Sequence, residues 1–298
     1  MSSPDLSKIL TPSLYTQINK IQFPWDGPVD ITFASQFYFR KIPDVSRQVY
    51  DALHHEALKP LSTFCPTIPD LVGYLPNPSD NSYPEHTLAL VLLLDQAPRT
   101  LYTSLDSRYT YGFFDDVSKK LVKSLVSSGT LPDATERWTA LGFSFEDVII
   151  RKFWLYIPLV HSEDIADHEA VAPMLEQMRL EVEAHSGRKD RSRDSDMGDA
   201  KDTTLFPKLI REGPPKSSPE FFFWMFRLFR VHMLIIAEFG RYPYRNYAEG
   251  RDSTEREKEY LKLTEDFGRP RLTDTEVQKL KDDRKAGVWD ELSDKGPW

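Results

Sequence analysis

The sequence predicts an all-α protein, antiparallel helix pairs packed into one helical domain. Apolar residues recur at helical spacing through most of the chain, no segment shows the period-two alternation of a half-buried strand, and helix-boundary residues punctuate the apolar runs. Composition agrees with this reading. Of 298 residues, 40% are hydrophobic, 28% charged and 12% aromatic, which is enough apolar mass for a sizeable core and excludes a collagen-like or wholly disordered chain.

Residues 1–32 are rich in Pro, Ser and Asp and read as an irregular N-terminal arm, pinned to the body by Phe23 and Trp25. The single helical domain is expected over 33–270. Phe37, Val45, Val49 and Leu53 share helical spacing and mark one or two helices in Phe33–Leu58. Pro60, Pro66, Pro69, Pro76, Pro78 and Pro84 then predict a long ordered loop. His86–Ser104 is a strongly apolar helix with Pro98 inside it, where a kink or restart is expected. Tyr111–Ser128 is amphipathic, with Asp115 and Asp116 at the start and Lys119, Lys120 and Lys123 further on, in the sense of the helix dipole. Phe145–Tyr156 and Ser162–Glu183 follow, the second entered through Ser, Glu and Asp. The run at about 186–217 is polar, mixed in charge and rich in Gly, Pro and Ser, and reads as an exposed, partly disordered insertion. Phe221–Phe239 is the most apolar helix, Gly240 and Pro243 are its stop signals, and a capped helix is expected from Ser253 to Asp266. Residues 271–298 form a charged helix and a tail carrying Trp289 and Trp298.

The net charge of −8 argues against non-specific nucleic-acid binding, which needs a basic face. One cysteine, Cys65, allows no internal disulfide and no cysteine metal cluster, and fits a reducing compartment. No apolar stretch approaches the length of a membrane span and no leader pattern opens the chain, so a cytoplasmic protein is expected. There is no Gly-rich phosphate loop, no HExxH pair and no GxSxG elbow, hence no cofactor or metal is expected.

What stands out is polar residues embedded in apolar helices. Asp95, Gln96 and Arg99 follow seven apolar residues; Asp95 and Arg99 share a helix face, either as an ion pair or as a pocket wall. His161, Ser162, Glu163 and Asp164 end another apolar run. A helix cap accounts for part of that group, but no cap needs His161, which suits acid–base work. On the third apolar helix, Arg227, Arg230 and Glu238 fall on one side while His232 points elsewhere. Arg241, Arg245 and Asn246 follow its stop signals, and the two arginines suit a carboxylate, a phosphate or exposed helix carbonyls.

The blocks LLLDQxPR, LYIPLVHSED and HxxxxxxFGRYPYRN, in this order, resemble the family catalogued as domain of unknown function 924 over roughly residues 85–255. Ala97, Thr100 and Tyr244 stand where that family commonly has Phe, Asn and His. The resemblance implies a tetratricopeptide-like helical fold. The chain is also similar to a fungal branch of arginine-containing cyclodipeptide synthases. This implies amide-bond formation from arginyl-tRNA and a second aminoacyl-tRNA. Under that reading Asp95, Glu163 and Asp164 would hold an arginine side chain, His161 or His232 would deprotonate an α-amine, and Ser162 would be the nearest nucleophile. Arg241, Arg245, Arg251 and the basic insertion residues Arg188, Lys189, Arg191 and Arg193 would meet tRNA phosphates. The alternatives are a non-catalytic helical peptide-binding module and another small-molecule enzyme using the same His/Arg/Asp pocket.

Overall fold

A computed structural model describes residues 4–38, 44–193, 202–268 and 272–294, and among these there is no strand. The principal helices are α1 (Leu6–Ile9), α2 (Pro12–Gln22), α3 (Ile31–Tyr38), α4 (Asp44–Leu53), α5 (Tyr83–Leu101), α6 (Asp115–Ser127), α7 (Phe145–Val160), α8 (Ile165–Ser186), α9 (Leu205–Glu212), α10 (Glu220–Phe239), α11 (Glu255–Leu263) and α12 (Asp274–Ala286). The protein is all-α, as the apolar spacing predicts.

α7 is the hub. Its run from Val148 to Val160 is buried on every side, packed against α5, α6, α8 and α10. A helix apolar all round has no solvent face and must lie inside. Its two cations are accommodated there: Arg151 lies over the Phe23 and Phe143 rings at 4.0 and 4.3 Å, and Lys152 donates to Glu181 at 2.8 Å. Short-range chemistry sets the helix ends. Ser144 caps α7, Asp164 caps α8, and Thr254 with Glu257 closes a capping box on α11. Gly240 terminates α10 in the left-handed conformation (φ 68°), which glycine adopts without a Cβ penalty.

Three expectations need correction. The N-terminal arm is helical: Thr11 caps α2, Pro12 occupies its first turn, and Leu14, Tyr15 and Ile18 bury against α5. Phe23 and Trp25 do pin it, the Trp25 indole donating to Asp147 at 2.7 Å. α5 does not restart at Pro98; it continues to Leu101, because a proline one turn from a helix end disturbs few backbone bonds. The segment read as an exposed insertion carries α9, whose Leu209 is buried and whose Phe206 packs inward; residues 194–201 of it lie outside the described set. Phe33–Leu58 forms two helices, the second extended by a π-helical turn at His54–Leu58. Among the described residues no helix is long and apolar enough to cross a membrane.

Candidate active site

The three polar groups converge where α5, α6, α7 and α10 meet the turn after α10. The Leu88–Leu94 stretch buries α5 and carries Asp95 in with it, to 0% exposure. One turn on, Arg99 meets Asp95 only loosely, at 3.4 Å from Nε and 3.5 Å from Nη2. Its close partner is Asp115, the first residue of α6, whose Oδ1 accepts from Nη2 at 2.5 Å. Asp95 is held instead by His161, the C-cap of α7, whose Nδ1 lies 2.9 Å from Oδ2 and 3.0 Å from Oδ1. Gln96 donates to the same carboxylate. Arg245, in the 3₁₀ turn Pro243–Arg245, donates to the His161 carbonyl at 2.9 Å and brings Nη1 within 3.3 Å of Asp115 Oδ2. The Arg245 guanidinium is walled by the Tyr242, Tyr111 and Tyr244 rings at 4.3, 5.1 and 5.7 Å.

His232 completes the cluster from α10. Its ring centroid lies 5.9 Å from that of His161, and its Nδ1 donates to the Leu228 carbonyl at 2.7 Å. In each histidine an acceptor fixes the proton on Nδ1 and leaves Nε2 as a lone pair, and no hydrogen bond from the described residues reaches either Nε2. Phe206 of α9 stands edge-on to His232 at 5.4 Å, and Phe267 packs behind Phe206 and Tyr244.

Burial decides the protonation states. Burial and the neighbouring Arg99 push His161 down to about 3, and burial pushes His232 down to about 3, so both are neutral bases near pH 7. Burial opposes ionisation of Asp95, but His161 and Arg99 outweigh it and hold the carboxyl below its ordinary range. Asp115 goes the other way, to about 6, because burial and the Asp95 charge outweigh its two arginines. Two arginines thus face two carboxylates and the array is neutral overall. Its hydrogen bonding is incomplete: Asp115 Oδ2 and Arg245 Nε are buried with no hydrogen-bond partner.

The remaining nominated residues lie elsewhere. Ser162 Oγ donates to Asp167 at 2.6 Å and accepts from the Asp164 amide; no bond joins it to His161, so adjacency in sequence does not make a nucleophile–base pair. Glu163 accepts from both Arg251 terminal nitrogens at 2.6 and 3.0 Å and from the Tyr242 amide at 2.9 Å. Asp164 is an exposed cap. Arg241 is clamped by Glu257 at 2.7 and 2.8 Å, and Asn246 donates to Ser253 at 3.0 Å. Arg227 and Arg230 are half-buried on α10, turned away from His232 by helical periodicity. Glu238 pairs with Arg256 rather than with them. The cations expected to meet phosphates are largely engaged: Arg188 with Glu220, Lys189 with Glu183, Arg193 with Glu176, and Arg251 with Glu163.

Asp115, Tyr111 and Phe206 belong to the cluster and were not anticipated. A signal for Asp115 was present: Tyr111, Asp115, Ser118, Val122 and Leu125 form one helical stripe whose other members are apolar or small. An acid on that stripe is buried, whereas Asp116 beside it pairs with Lys119 nearer the surface.

Residues 34–265 match the family described as bacterial protein of unknown function, DUF924, and the chain belongs to it. No curated protein and no solved structure matches the chain.

Proposed function

We propose that this protein is an enzyme in which His161 is a general base. One observation carries the reading: a neutral imidazole, its side chain only 12% exposed, with Asp95 2.9 Å from Nδ1 and, among the described residues, no partner on Nε2. A carboxylate behind Nδ1 fixes the tautomer and stabilises the imidazolium that forms when Nε2 takes a proton. The proton comes from an amine or hydroxyl nucleophile. Arg99 and Arg245, close by and dry, favour negative charge developing on an attacked acyl oxygen.

The acyl substrates to test first are those the resemblance implies. The α-amine of one aminoacyl group, deprotonated by His161, attacks the ester carbonyl of the other. The tRNA terminal hydroxyl leaves, and a second attack closes the ring and releases the second tRNA, giving cyclo-Arg-Xaa. One observation favours a second reading. Asp95 and Glu163 are occupied by His161 and Arg251, and Asp164 sits in an exposed cap, so no nominated carboxylate is free for a guanidinium. The same dyad would then serve another small acyl substrate. A peptide-docking module needs no buried, carboxylate-backed histidine.

The test is expression of the full chain in a host with ordinary aminoacyl-tRNAs, with mass spectrometry of the medium for cyclic dipeptides containing arginine. His161→Ala should lower product by about 10²–10⁴-fold while leaving the helical circular-dichroism signal intact. Absence of product from soluble wild-type protein shifts the assignment to another acyl substrate. Undiminished product from His161→Ala removes the general base.

A further inference from the structure

Away from this site, the fold brings together residues from distant parts of the chain. His54 and His55 are consecutive in the π-helical turn after α4, and Asp294 lies in the segment following α12. π-turns inside helices often mark functional positions. Here the turn presents two imidazoles to one carboxylate. His54 Nε2 lies 3.8 Å and His55 Nδ1 3.9 Å from Asp294 Oδ1, and the donor atoms all lie within 4.8 Å of one another.

His54 supplies a second, independent observation. It is 7% exposed, and its Nε2, the atom aimed at Asp294, is buried with no hydrogen-bond partner. A buried polar atom without a partner is costly and calls for an explanation. Its other ring nitrogen is within hydrogen-bonding distance of the Tyr102 hydroxyl at 2.9 Å, which orients the ring as outer-shell partners orient metal-bound histidines. Contacts outside the trio bring Asp294 to this place. The Arg108 guanidinium donates to the Val288 carbonyl at 2.8 Å, the Tyr109 hydroxyl donates to the Asp290 carbonyl at 2.7 Å, and Leu292 is buried.

We propose that His54, His55 and Asp294 bind one divalent transition ion of zinc-like softness, tying the segment after α12 to the body. Two imidazoles and one carboxylate suit zinc, nickel, cobalt or copper better than magnesium or calcium, which favour all-oxygen sets, and a water completes four-coordination. Bonds of about 2.1 Å in a tetrahedron require donor separations of about 3.4 Å, so the exposed His55 and Asp294 side chains close in by rotation. Lys59 now holds Asp294 Oδ1 at 2.6 Å and has Glu291 at 3.6 Å, so Glu291 receives the ammonium when the ion takes Asp294.

The test uses the untagged full chain, stripped with chelator and titrated with Zn²⁺ by calorimetry and with Co²⁺ by visible absorption. One equivalent should bind, with the intensified absorption of low-symmetry cobalt, and Zn²⁺ should raise the melting temperature. His55→Ala and Asp294→Asn, both at exposed positions, should each weaken binding at least ten-fold and abolish the thermal shift. Tyr102→Phe should weaken it about 10–100-fold. His161→Gln should leave it unchanged, because the two sites are separate. No binding by wild-type protein, undiminished binding in His55→Ala or Asp294→Asn, or loss of binding in His161→Gln overturns the proposal.

Discussion

Two arginine–carboxylate arrangements lie one turn of chain apart, and they differ in how completely their hydrogen bonds close. In the rim clamp, Arg241 meets both oxygens of Glu257, Glu257 also accepts from the Thr254 amide, and Arg241 donates again to the Asp252 carbonyl. In the buried array, Asp115 is divided between Arg99 and Arg245, two polar atoms stay without partners, and a histidine is attached to the other acid. Closed pairs hold a structure together. An open array keeps bonding capacity in reserve, which is what a site acting on a ligand requires. The difference also explains why sequence features of equal prominence have different meanings. Arg241 and Arg245 stand four residues apart in one motif, yet the first fastens the start of α11 and the second enters the site.

The sharpest way to break the comparison is to remove the shared acid. Asp115→Ala leaves Arg99 and Arg245 buried with one carboxylate between them and should cost about 3–5 kcal/mol in urea unfolding. Removing the clamp should cost less. Arg241→Ala strips charge-assisted bonds from the buried Glu257 but leaves it the Thr254 amide and, in place of the partly exposed Arg241 side chain, an opening to water, so a loss of about 2 kcal/mol is expected by the same method. Acidification below pH 6.5 acts on the two histidines of the buried array before it reaches the Glu257 carboxylate of the clamp, which Arg241 holds down to about 2. His161 and His232 stay neutral in the folded protein down to about 3, while in the unfolded chain each takes a proton below about 6.5. The unfolded state therefore binds more protons, and stability falls as pH drops from about 6.5. Asp115 acts in the opposite sense: its folded value of about 6 exceeds the unfolded 3.8, so between these values the folded state gains a proton. Within the array, two histidines against one acid leave a net loss on acidification of about 1 kcal/mol per pH unit, and His232→Gln should lessen the fall in melting temperature between pH 6.5 and 4. The smallest effect belongs to Ser162→Ala. It removes a bond to Asp167 and a cap on the Asp164 amide, so stability should fall by about 1 kcal/mol with turnover retained. Lost turnover in a folded Ser162→Ala protein would restore the nucleophile.

The positions that sequence reasoning found are those where a polar residue interrupts a strong apolar run. Asp95 after Leu94, and His161 after Val160, could be placed inside the protein because their helices had to be buried. Arg245 was recognisable as a cation beyond a helix stop, but its partner was not, since nothing local tells which carboxylate a loop arginine will meet. Asp115 was hidden by a competing explanation, because an acid at a helix start is what the dipole favours. α2 and α9 were missed for a shared reason. Each is short and lies in a stretch whose Pro, Ser and Gly content resembles a loop, and tertiary packing of Ile18 and Leu209 makes them helical. His54, His55 and Asp294 form no sequence motif, because only the completed fold brings them together.

The neutrality of the buried array has a kinetic consequence. Charges that cancel within a few ångströms project little field beyond one another, so they do not steer a ligand in from solution. Encounter at this site is governed by diffusion and by the shape of the approach, and its rate is indifferent to ionic strength. A polyanion such as tRNA, meeting a chain of net charge −8, would have to be gathered by a different part of the surface.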